Sequence, residues 1–177
     1  MTRIQVTLHR VQHWDLVWCL RLNQYSTRRA VLHPFKWISR LGDGWFWYAM
    51  MGVAIPVAGV QVLPAIGQTL ATSAVGLGVY KLLKHKTVRP RPYQVHQAVM
   101  LGERPLDHFS FPSGHTLHAV LITTMLGSFV PVLLPIMLPF MVLVALSRVI
   151  LGLHYPTDVM VGAALGAALA SVSLSLF

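Results

Sequence analysis

The sequence predicts an all-α integral membrane helical bundle with about five transmembrane helices and N-terminal amphipathic interfacial helices, on three observations. Of 177 residues, 55% are hydrophobic and 11% are Asp, Glu, Lys or Arg, with a mean hydropathy of +0.61. That is too apolar for an ordinary soluble domain of this size. Five stretches approach the ~20 apolar residues that cross ~30 Å of hydrocarbon at ~1.5 Å per residue. Residues 1–44 instead mix apolar and basic side chains at helical spacing.

In chain order, Ile4, Leu8, Val11, Trp18 and Leu22 recur on one helical face while Arg3, Arg10, His13 and Arg21 occupy others. This pattern predicts a helix lying on the membrane. Asp15 and Arg21 oppose a crossing over residues 11–30, and the charges at His9, Arg10 and His13 interrupt any signal-peptide core, so residue 1 is read as mature sequence. A second amphipathic piece over residues 30–41 ends at the Gly42-Asp43-Gly44 turn, and Trp45, Trp47 and Tyr48 follow as an interfacial aromatic anchor. The spans are expected at residues 45–62, 66–83, 114–130, 132–146 and 159–177, with Pro64 and Pro131 at two breaks. The fourth is short and continues past Arg148 toward Leu153, the long Arg stem reaching the interface. In the fifth, Gly162 and Gly166 among alanines predict close helix packing within the chain. Residues 1–177 thus form one membrane-embedded domain, with an interfacial region over 1–44 and the bundle over 45–177.

Fourteen Lys and Arg against five Asp and Glu give a net charge of +9. The basic residues adjoin apolar spans, and no aromatic-basic interleaving of a nucleic-acid fold occurs, so the anionic partner expected is lipid or an anionic substrate, not nucleic acid. The single Cys19 excludes an intrachain disulfide framework. Threading five spans gathers residues 1–44, 84–113 and 147–158 on one side of the membrane, and the positive-inside rule assigns that side to the cytoplasm. Nothing in the sequence reports the oligomeric state.

Three segments converge there: KHKTVRPRP (84–92), PSGH (112–115) and SRVILGLHYPTD (147–158). Lys84 and Arg91 bring fixed positive charge, and Arg148 adds a planar fork suited to phosphoryl oxygens. Such cations beside a bilayer are unfavourable until an anion joins them. Pro112, Ser113 and Gly114 read as a helix start, whose free N–H groups hold phosphate. The spacing from His154 to Asp158 lets the carboxylate accept one imidazole proton, leaving the other nitrogen as a nucleophile. His115, on a separate helix start, supplies a proton to a leaving oxygen. Positioning and charge stabilisation are most of what phosphoryl transfer needs, and these groups provide both without a metal.

The pattern Lys84-x6-Arg91-Pro92, then Pro112-Ser113-Gly114-His115, then Ser147-Arg148-x5-His154-x3-Asp158 resembles the type 2 phosphatidic acid phosphatase family, which includes bacterial lipid phosphatases, glucose-6-phosphatase and vanadium haloperoxidases. The resemblance covers about residues 66–177. It implies a metal- and cofactor-free phosphohistidine mechanism. His154 attacks phosphorus, Asp158 orients it and His115 protonates the leaving group, while Lys84, Arg91, Arg148, Ser113 and the Gly114 N–H hold the phosphoryl oxygens. The implied substrate is a lipid phosphate monoester or diphosphate: an isoprenoid diphosphate such as undecaprenyl diphosphate, phosphatidate, phosphatidylglycerophosphate or lipid A phosphate. The implied location is a bacterial inner membrane. Family members usually have six spans where this chain shows five, and bacterial relatives often work on the periplasmic face, opposite to the side assigned by charge.

Two other readings stand beside it. His115, His118, His154 and Asp158 have the residue types of a metal-dependent hydrolase site, and the basic loop suits a non-catalytic lipid-headgroup binder. His85, His96, His108 and His118 read as loop or packing residues, and Lys86, Arg89 and Arg104 as solvated charges.

Overall fold

The computed structural model describes residues 3–176. Among these are eight α-helices and no strand: α1 (Arg3–Asn23), α2 (Arg29–Leu41), α3 (Trp45–Ala58), α4 (Leu63–Thr87), the four-residue α5 (Pro92–Val95), α6 (Gly114–Phe129), α7 (Leu134–Ile150) and α8 (Pro156–Leu176). Prolines stand in the first turns of α4, α7 and α8, where a missing N–H costs nothing. Three helical segments, 60–95, 131–150 and 156–176, are long and apolar enough to cross a bilayer, so the chain is an all-α membrane bundle. The other two expected spans form shorter helices: α3 has 14 residues and α6 has 16.

Helix α6 is the central one, packed by α4, α7 and α8, and it buries Leu117, Leu121, Ile122, Met125 and Leu126. Helix α8 approaches it closely through Gly162 and Gly166. A Cβ at Gly162 would lie 2.5 Å from the Ser113 carbonyl oxygen, and one at Gly166 would strike the carbonyl oxygen of Leu117. The small-residue pattern therefore serves packing within the chain.

Two expectations change. Trp45 and Tyr48 are exposed, but Trp47 is buried, its Nε1–H donating to the Gly42 carbonyl at 3.2 Å and its ring edge-on to Phe46 and Phe140. The helical period explains the split, since residues three apart share a face and the one between them turns inward. In α1, Leu8, Val11, Trp14 and Trp18 are exposed and Asp15, Cys19 and Asn23 are buried, but Leu22, expected on the same stripe, instead packs against the apolar cluster of Cys19, Val99, Val149 and Tyr155. The side chains of Arg3 and Ile4, and Phe177 at the end of the fifth span, lie outside the described residues.

Gly166→Ala should lower the thermal transition of the detergent-solubilised protein, at a cost of about 1–3 kcal/mol, because the Leu117 backbone must shift. Gly52→Ala, which meets nothing within 4 Å, should leave the transition unchanged or raise it slightly.

Candidate active site

Each motif segment is held at a helix end. In α6, Ser113 has extended backbone (φ −75°, ψ 105°) and caps the helix, its hydroxyl 3.5 Å from the Thr116 N–H and 2.9 Å from Thr116 Oγ1. The Ser113 N–H donates to the Asp158 carbonyl at 3.0 Å, tying the start of α6 to the start of α8. Arg148 occupies the last turn of α7. The chain then doubles back, with the N–H groups of Leu153 and His154 both donating to the Arg148 carbonyl at 3.0 Å. Gly152 makes this reversal possible. Its φ is +71°, and a Cβ there would stand 2.6 Å from the Met100 carbonyl oxygen. Asn23, at the end of α1, clamps the same turn by donating to Met100 O and Ile150 O at 2.9 and 2.8 Å and accepting from Met100 N at 2.8 Å.

These ends meet around a cavity of about 410 Å³ whose lining includes Lys84, Arg91, Gly114, His115, Arg148 and His154. Six of the eight residues singled out in the sequence are thus brought together; Ser113 and Asp158 are buried behind them and do not line it. The expected contact from the Ser113 hydroxyl to a phosphoryl oxygen is not supported, since that hydroxyl serves the α6 cap. The rest of the wall carries Asp43, Asp107, Ser73 and His118 and is otherwise apolar and aromatic, with Trp47, Met51, Leu70, Leu77 and Ile122 from α3, α4 and α6.

The cations are held by carboxylates that the motifs do not contain. Lys84 Nζ lies 2.6 Å from both Asp107 carboxylate oxygens and donates to Phe109 O at 3.1 Å. Arg91 donates to Asp107 Oδ1 at 2.7 Å and to Leu153 O at 2.7 Å. Burial alone would raise the Asp107 carboxyl, but the hydrogen bonds and charges of Lys84 and Arg91 outweigh it and hold it below the usual carboxylate range. Arg148 donates to Ser39 Oγ from one nitrogen, while its buried Nε has no partner among the described residues. His115 Nε2 pairs with Asp43 at the cavity mouth.

His154 is buried, with Nε2 3.4 Å from Arg91 Nη1 and Nδ1 3.7 Å from Asp158 Oδ2. That second distance is too long for the hydrogen bond expected from the His154–Asp158 spacing. Asp158 has other partners: it accepts from Tyr155 N at 2.8 Å and from Arg89 Nη1 at 2.6 Å. Arg89 is therefore not a solvated charge, because it also reaches Asp15 at 2.6 Å. Burial, then the positive charges of Arg91, Arg148 and Lys84, hold the His154 imidazole well below the ordinary histidine range, so it is neutral. Two buried polar atoms at the cavity, His154 Nδ1 and Arg148 Nε, have no hydrogen-bond partner among the described residues.

The metal constellation does not assemble. His118 turns one ring nitrogen to Gly114 O at 2.9 Å and the other to Ser73 O at 3.1 Å. Among the described residues no group of three or more His, Cys, Asp or Glu stands together.

The chain is similar to known proteins over most of its length. The chain is 31% identical over 150 residues to a decaprenylphosphoryl-5-phosphoribose phosphatase of Mycobacterium tuberculosis, covering 82% of this chain and 80% of that protein. It is 35% identical over 148 residues to the protein of the same name from Mycolicibacterium smegmatis, covering 76% and 73%. Its fold is similar to the crystal structure of Aquifex aeolicus LpxE, with a TM-score of 0.72 and 25% identity over 90% of this chain and 94% of that one. It is also similar to a PAP2-type phosphatidylglycerolphosphate phosphatase of Bacillus subtilis, with a TM-score of 0.51 and 26% identity over 92% and 93%. The family model described as the PAP2 superfamily matches residues 65–177, from the first turns of α4 through all three motif segments, and the chain accordingly belongs to that superfamily as a membrane phosphatase, a phosphoric ester hydrolase.

Proposed function

We propose that the protein removes a phosphate monoester or diphosphate headgroup from a membrane lipid through a phosphohistidine intermediate formed on His154. The observation that carries this reading is the cavity itself: Lys84, Arg91, Arg148, His115 and His154 at one end and apolar helix faces along the rest. A substrate matching it has an anionic head and a hydrocarbon tail. The names of the mycobacterial relatives favour a polyprenyl-anchored phosphate monoester as the first lipid to assay, ahead of isoprenoid diphosphates, phosphatidate, phosphatidylglycerophosphate and lipid A phosphate.

In this mechanism, Lys84, Arg91, Arg148 and the Gly114 N–H at the start of α6 hold the phosphoryl oxygens. Neutral His154 carries its Nδ1 proton toward Asp158 and turns the Nε2 lone pair to the cations, where phosphorus is bound. The Nε2–P bond forms as the P–O bond to the lipid breaks, and His115 passes a proton to the departing oxygen. Water then attacks phosphorus as it gives a proton back to His115, the N–P bond breaks, inorganic phosphate leaves, and His154 is restored neutral with His115 protonated. Asp107 and Asp43 stand where substrate oxygens belong, the first on Lys84 and Arg91 and the second on His115, and both give way when a lipid phosphate enters. In the membrane, α3, α4, α6, α7 and α8 form a multi-pass bundle of an inner membrane, and the outward Trp14 and Trp18 of α1, with Trp37 of α2, rest on the lipid interface.

Phosphate release from a panel of these lipids should be lost in His154→Ala by at least ~10³-fold, with wild-type activity unchanged by chelation and blocked by vanadate. Turnover at the normal rate in that variant would refute the nucleophile. Asp107→Asn should tighten inhibition by vanadate by about tenfold, or ~1.4 kcal/mol, since a competing carboxylate is removed from two cations; weaker inhibition would show that Asp107 supports the anion site instead. Because His154 is held below the ordinary value of about 6.5, its neutral form persists as pH falls through that value. Nitrogen NMR of histidine-labelled protein should show one imidazole still neutral near pH ~6 that is absent from the His154→Ala spectrum.

A further inference from the structure

Two carboxylates, Asp15 of α1 and Asp158 of α8, are fully buried, and a single guanidinium, Arg89, lies between them. Arg89 Nη2 reaches Asp15 Oδ2 at 2.6 Å and Nη1 reaches Asp158 Oδ1 at 2.6 Å, and the fork is stacked 4.2 Å over the Tyr155 ring. Asp15 also accepts from the Thr157 N–H at 2.9 Å and from Thr157 Oγ1 at 2.5 Å, so it caps the first turn of α8 from a helix 142 residues away in sequence. Buried ions in this number are unfavourable as a source of stability, and an apolar trio of similar volume would serve a scaffold as well or better. What the trio does deliver is geometry. It leaves Asp158 with one oxygen on Arg89 and the other on Tyr155 N, the latter facing His154 Nδ1.

We infer that Asp15 and Arg89 are positioning residues for the nucleophile: together they set the Asp158 carboxylate, and through it the tautomer and aim of His154. The inference rests on the proposed role of His154. Asp15 lies outside residues 65–177, where the family match falls, and Arg89 is not among the motif positions, so neither role follows from the family pattern. The inward side of α1 fits the assignment. Its two buried polar residues, Asp15 and Asn23, hold the turn and helix start that carry His154, Asn23 bonding Met100 and Ile150 and Asp15 bonding Thr157. Charge alone is not the requirement, because Arg89 works as a two-pronged fork of fixed span that a lysine does not reproduce.

The test compares the full-length wild-type protein with Asp15→Asn, Arg89→Lys and His154→Ala in detergent, using phosphatidate in mixed micelles as the probe. Release of phosphate, the phosphoryl group trapped on protein after acid-free quenching, and the thermal transition are measured for each. For both Asp15→Asn and Arg89→Lys, kcat and the rate of phosphoenzyme formation should fall about 10- to 100-fold, with KM within about threefold of wild type and the thermal transition within about 5 °C. Wild-type kcat in both variants, with His154→Ala inactive, would overturn the role of the pair alone. Persistent turnover in His154→Ala would overturn the nucleophile reading on which it rests. If Asp15→Asn loses its thermal transition, Arg89→Lys decides; collapse of both, or equal losses in kcat and thermal stability, would mean the trio is scaffold and would also overturn the inference.

Discussion

Positive charge held beside lipid is the constraint to which the rest of this structure answers. Fourteen Lys and Arg face only five Asp and Glu, and every one of those five pairs with a basic side chain: Asp15 and Asp158 with Arg89, Asp43 with His115, Glu103 with Arg40, and Asp107 with Lys84 and Arg91. Except for the exposed Arg40–Glu103 pair, these contacts lie in or directly behind one cavity. Carboxylates are spent where cations cannot reach bulk water, while Arg148, buried with its Nε unpartnered, is left with positive charge to offer.

The fold and the candidate site were legible to different degrees for physical reasons. Span hydropathy and the prolines at helix starts predicted the bundle, and the three segments named Lys84, Arg91, Gly114, His115, Arg148 and His154, all of which reach the cavity. Their visibility comes from short local spacing at helix ends, which a sequence displays directly. The carboxylates were not visible in this way. Asp43 pairs with a histidine 72 residues on and Asp15 with an arginine 74 residues on, and no periodicity encodes a distance of that kind. A signal was nonetheless present: in a basic membrane chain with five acidic residues, each is a candidate partner for a buried cation.

Helix α1 shows what hydrophobic periodicity reports and what it leaves open. The spacing of Leu8, Val11 and Trp18 predicted a helix lying on the membrane, and those side chains are exposed, while Leu22 of the same stripe packs against the bundle. In a soluble protein such a stripe turns inward. Here the surroundings are apolar and the bundle offers Thr157, Arg89 and the Met100 carbonyl, so the polar face docks and the apolar face looks out. The 3.7 Å between His154 and Asp158 goes with a carboxylate whose two oxygens are already held, one by Arg89 and the other by the Tyr155 N–H.

The lopsided lining of the cavity, ionic at one end and hydrocarbon-like along the rest, governs the fate of the products once the ester bond is broken. The two fragments of a cleaved lipid phosphate prefer different media: the liberated inorganic ion dissolves in water, and the dephosphorylated chain stays in oil. Departing in divergent directions, they leave the cavity by separate routes, one into water and one into the bilayer, and neither has to cross the medium that disfavours it.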